Sequence, residues 1–132
     1  MSTESADTGL RRINNRSKAA AVLATLAAFG AGLWSVGEIQ FVSIAAIAVG
    51  IGVRFGSLWV GTRLLETTNS SALAEQPTAG GYHHGAVGFA LVFAGIIAIA
   101  GRSLGGDVSL VAAGSVVVAA VGYVGLSVLL PE

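Results

Sequence analysis

The sequence contains no cysteine, which excludes disulfides, thiolate metal sites and thiol nucleophiles. Charge is scarce as well: Asp, Glu, Lys and Arg make up 11% of the 132 residues, against about a quarter in soluble domains. The charge present is balanced, seven cations against seven anions, so there is neither a basic patch for nucleic acid nor an acidic tail. Proline is almost missing and falls at Pro77 and Pro131, outside the long apolar runs, which are therefore free to be helical. No carboxylate pair, metal motif or serine–histidine–acid set stands at matching depth, and the chain is read as a non-enzyme without cofactor or metal. His83 and His84 are adjacent, do not share a helix face and have no third histidine to complete a site.

The abundant residues are apolar. They make up 54% of the chain, with a mean hydropathy of +0.79, concentrated in four runs at residues 19–36, 40–62, 85–101 and 108–129. About twenty apolar residues span a bilayer as a helix. The expected fold is all-α, an integral membrane four-helix bundle made of two transmembrane hairpins that forms one domain over 18–130. Residues 1–17 are expected as a disordered polar tail. Residues 63–84, rich in Thr, Ser, Gly and Ala, are expected as a flexible loop between the hairpins. A cleaved signal peptide over 1–37 is the rival reading of the first run; its length favours an uncleaved anchor.

Orientation follows from the cations. Arg11, Arg12, Arg16 and Lys18 precede the first run, the 37–40 turn carries none and the 102–107 turn carries Arg102 alone. Positive charge stays in the cytoplasm. Both termini and the 63–84 loop are thus expected there, in a multi-pass protein of the cell membrane, with the tight turns outside. Six of the seven cations are arginine, and Ala, Gly and Val are heavily used, a composition suited to a GC-rich prokaryotic genome. Asp107 is the expected N-cap of the fourth helix.

Arg54 is the discordant residue, a guanidinium inside an apolar run. An intramembrane charge is a functional-site hypothesis by default. Three readings stay open: a side chain that snorkels to the headgroups, an inward structural role, and a role in transport or signalling. Ser43, Ile47, Gly50, Arg54, Ser57 and Gly61 share one helical stripe, small and polar apart from Ile47, which is expected to face the bundle. Ile44, Ile51, Phe55 and Leu58 form the opposite stripe, expected to face lipid. Thr25, Arg54, Ser57 and Tyr123 fall roughly 4–12 Å below the midplane at about 1.5 Å per residue and form the candidate intramembrane polar cluster. Gly52 and Gly56, and the alanines 86, 90, 94 and 98, have the spacing of helix-packing motifs. VSIAAIAV at 42–49 and VSLVAAGS at 108–115 hint at a duplicated hairpin, a match that low-complexity apolar sequence also gives by chance.

Function is less legible. The leading expectation is a structural or accessory membrane subunit whose partners are the bilayer, copies of itself or a larger membrane protein. The alternative is a small oligomeric transporter or channel that uses Arg54 for an anionic substrate. A third is a signalling domain with a soluble partner docked on the 63–84 loop.

Overall fold

A computed structural model describes residues 2–66 and 82–130. Among them are four helices and no strand: α1 (Ser2–Ser35), α2 (Ile39–Glu66), α3 (Tyr82–Ser103) and α4 (Val108–Leu129). Each contains a stretch long and apolar enough to cross a membrane. Two tight turns join them into hairpins, and each turn needs a glycine in the left-handed region, Gly37 (φ 78°) and Gly105 (φ 88°). After α3 the Gly106 N–H donates to the Gly101 carbonyl at 2.9 Å and the Gly105 N–H to that of Arg102 at 3.0 Å. This paired closure satisfies the last carbonyls of the helix. Asp107 then caps α4, accepting from the amides of Ser109 at 2.9 Å and Leu110 at 3.3 Å.

The packing is serial. α1 lies on α2, α2 on α3 and α3 on α4, with a slight approach of α1 to α3; among the described residues α4 does not pack on α1, and it faces α2 only across an apolar groove of about 410 Å³. Small residues set each seam. A Cβ at Gly32 would meet Val42 at 2.7 Å, one at Gly61 would meet Ile13 at 2.7 Å, and one at Gly50 would strike the Thr25 hydroxyl. Between α2 and α3 the backbones themselves touch. A Cβ at Gly52 would lie 2.5 Å from the Gly88 carbonyl oxygen, and one at Gly88 would lie 2.7 Å from that of Gly52. On α3, Ala86, Ala90, Ala94 and Ala98 are buried, and Ala90 faces Gly122 of α4. α3 thus presents glycine to one neighbour and alanine to the other, and in lipid such close approach is the main source of helix association.

Three expectations need correction. Residues 2–17 are not a disordered tail but the first half of α1. The segment has no proline, and its Ile13 fills the space over Gly61 while Ser17 is fully buried. A polar sequence loses its hydropathy signal at the bilayer edge but keeps its helical hydrogen bonds. The loop boundaries also move: α2 continues to Glu66 and α3 begins at Tyr82, and the remainder of the expected loop, 67–81, lies outside the described residues. Third, Phe55, placed on the lipid stripe of α2, meets His84 of α3 edge-on at 5.5 Å.

Candidate intramembrane polar site

The contacts Ile13–Gly61, Thr25–Gly50 and Gly32–Val42 fix the antiparallel register of α1 and α2, in which Arg54 stands level with residue 20 or 21. Its guanidinium does not stay there. The Nη2 donates to Asn14 Oδ1 at 3.4 Å, six or seven positions nearer the start of α1, or about 10 Å along the axis at about 1.5 Å per residue. The span of α3 runs from His84 to Ser103. For a bilayer centred on the middle of that span, the Arg54 backbone would lie roughly 8 Å from the midplane and Asn14 roughly 17 Å, just beyond a hydrocarbon half-thickness of about 15 Å. Arg54 therefore runs along α1 toward its N-terminal end, which in a bilayer centred on these helices is the geometry of a snorkelling cation.

Arg54 and Thr25 both line a shallow groove of about 300 Å³ on one flank of the α1–α2 seam, whose remaining walls are apolar apart from Gly50. The Thr25 hydroxyl donates to the Ala21 carbonyl at 2.7 Å, and that of Ser57 to the Arg54 carbonyl at 3.0 Å. Both protons are spent within their own helices, as membrane hydroxyls commonly are. Tyr123 joins neither. The seam positions Gly56–Gly88 and Ala90–Gly122 do put it level with Arg54, but among the described residues α4 packs on α3 and faces α2 only across a groove nearer the turns, so α3 stands between them. From Thr25, level with Gly50, to Ser57 the four residues spread over roughly 10 Å of the helix axis at about 1.5 Å per residue, and they form no single cluster.

Two features went unread in the sequence. Arg102, at the end of α3, forms an ion pair with Glu38 in the α1–α2 turn. It also donates to the Gly106 carbonyl at 2.6 Å and lies over the Phe41 ring at 6.0 Å. This is a clamp between the two hairpins. The signal was present, since both tight turns stand at one end of the helices, with Glu38 in one and Arg102 in the other. At the other end an aromatic set joins α2 and α3: Trp59 packs on Phe89 with centroids 6.1 Å apart, Arg63 lies 5.6 Å above the Trp59 ring, and His84 meets Phe55. The Trp59 Nε1 and His84 Nδ1 are buried without a hydrogen-bond partner. Among the described residues no three His, Asp or Glu side chains are close enough to hold a metal ion.

The chain matches no known family model, and no curated protein or solved structure shows significant similarity to it.

Proposed function

We propose that this chain is a multi-pass subunit of the cell membrane, with both termini cytoplasmic, that assembles with a larger membrane protein. One observation carries the reading. Gly114 and Gly125 of α4 have no neighbouring atom within 4 Å of an added Cβ, and no residue of α4 is buried. Glycine inside a helix costs about 1 kcal/mol relative to alanine. In α2 and α3 that cost is offset by contact with a neighbouring helix; at Gly114 and Gly125, as at Gly30 of α1, nothing among the described residues offsets it. A transmembrane partner whose ridge enters over those glycines would.

The transporter reading has less behind it. An anion path needs donors through the depth of the bilayer, and Arg54 carries its guanidinium to the boundary rather than into a passage. The experiment is native mass spectrometry of the protein extracted from its own membrane in mild detergent. A second polypeptide in fixed stoichiometry is the expected result, and Gly114→Leu should abolish it while the chain stays folded. A homo-oligomer without partners would overturn the accessory role and make flux assays on Arg54→Leu the next step.

A further inference from the structure

On the opposite flank of the α1–α2 seam from Arg54, a groove of about 460 Å³ separates the first half of α1 from the last turns of α2. Its walls include Ile13, Ala20, Val60 and Leu64, and its mouth carries Arg12 and Arg16. The two arginines are four residues apart, so their guanidinium groups share one helix face. Among the described residues neither has a hydrogen bond or ion pair. The serine hydroxyls that also line the groove donate to main-chain carbonyls, Ser17 to Asn14 at 2.9 Å and Ser57 to Arg54 at 3.0 Å. The free donors are thus the guanidiniums alone.

Depth identifies what such a groove faces. In the register used above, Arg16 lies roughly 14 Å below the midplane and Arg12 roughly 20 Å below, at about 1.5 Å per residue. With a hydrocarbon half-thickness of about 15 Å, the pair brackets the headgroup phosphates, with Ile13 and Leu64 at headgroup depth, Val60 at the boundary and Ala20 on the hydrocarbon side. We infer that this groove binds an acidic phospholipid, its phosphate held between Arg12 and Arg16 and one acyl chain laid along the apolar wall. Guanidinium is the donor suited to two-point contact with phosphate. A soluble phosphate would satisfy the mouth but leave the apolar wall uncovered, and a zwitterionic lipid would bring its own ammonium to the two cations.

The test uses the full chain in nanodiscs containing either phosphatidylglycerol or phosphatidylcholine, with retained lipid counted by native mass spectrometry after transfer to detergent. Wild type should keep one phosphatidylglycerol and release phosphatidylcholine. Arg12→Gln with Arg16→Gln should weaken retention by about a hundredfold or more, the loss of two charge-assisted hydrogen bonds to the phosphate. Arg11→Gln with Lys18→Gln removes the same charge outside the groove and should hold phosphatidylglycerol within about threefold of wild type, since charges off the site act only through the screened surface field. Val60→Trp fills the groove with both arginines intact and should also release the lipid. Equal losses in the two charge pairs, or full retention in Val60→Trp, would overturn the site and leave only a surface field. Millimolar inorganic phosphate should not displace the lipid; displacement would overturn the lipid assignment in favour of a free anion.

Discussion

A single methyl group added at Gly88 tests whether backbone contact holds α2 against α3. Its carbon would lie 2.7 Å from the Gly52 carbonyl oxygen, 2.9 Å from the Gly56 Cα and nearer still to the Gly56 nitrogen. All three are main-chain atoms, so no rotamer change can relieve them. Carbon contacts relax at about 3.5 Å, so the two helices must part by roughly 0.5–1 Å. A gap of that size forfeits about a quarter to a half of each van der Waals contact along the seam, and overpacking of this kind costs about 1–3 kcal/mol. Alanine returns up to about 1 kcal/mol as the better helix former. The net expectation is a loss of about 1–2 kcal/mol. Gly114→Ala is the matched control: the same change in α4 with open space around it leaves only the propensity gain, up to about 1 kcal/mol of stabilisation. Unfolding of both variants in mild detergent, followed by circular dichroism against added SDS, gives the comparison. If Gly88→Ala is as stable as wild type, the close crossing does not hold the pair together and the packing argument fails.

Two further outcomes follow from the ends of the helices. Asp107→Ala should cost about 0.5–2 kcal/mol as an N-cap loss, while Asp107→Asn should cost little; faster amide exchange at Ser109 and Leu110 in the alanine variant alone is the readout, and unchanged exchange would show that the cap holds nothing. Glu38→Gln removes the anion of the hairpin clamp, and because the Glu38 side chain is 45% exposed the loss should stay under about 1 kcal/mol and shrink as ionic strength rises. A loss of several kcal/mol that salt does not change would mean that the pair is sealed from solvent.

How far the sequence reaches differs among the helices. α4 is framed by Asp107, whose carboxylate caps it, and by Pro131 beyond its end, and its bounds are the ones read from the apolar run. α1 is the opposite case. Hydropathy locates the bilayer and not the end of a helix, so the reading stopped where Arg16 and Lys18 began and missed Ile13 seated over Gly61. The spacing of Gly52 and Gly56 showed a packing face but not its occupant, since Gly88 sits in an equally common small-residue pattern of its own. The proposed cluster of Thr25, Arg54, Ser57 and Tyr123 placed its members by depth alone; adjacency was not legible, because the order of helices around a bundle leaves no mark on apolar periodicity. A closed bundle would bring α4 against α1, whereas this chain runs in series with α3 between Tyr123 and Arg54.

The serial arrangement gives the glycines two different meanings. At Gly52, Gly88 and Gly50 the missing side chain is filled by an atom of the neighbouring helix, and the residue is explained by the fold of the single chain. At Gly114 and Gly125, as at Gly30 of α1, nothing among the described residues fills it. Bulky apolar side chains facing lipid need no explanation, because hydrocarbon satisfies them as well as a protein does. A glycine facing lipid does, since it gives up helix propensity and gains no contact. The outer face of α4 therefore separates an isolated membrane protein from a subunit: leucine at Gly114 should be harmless in the first and disrupt assembly in the second.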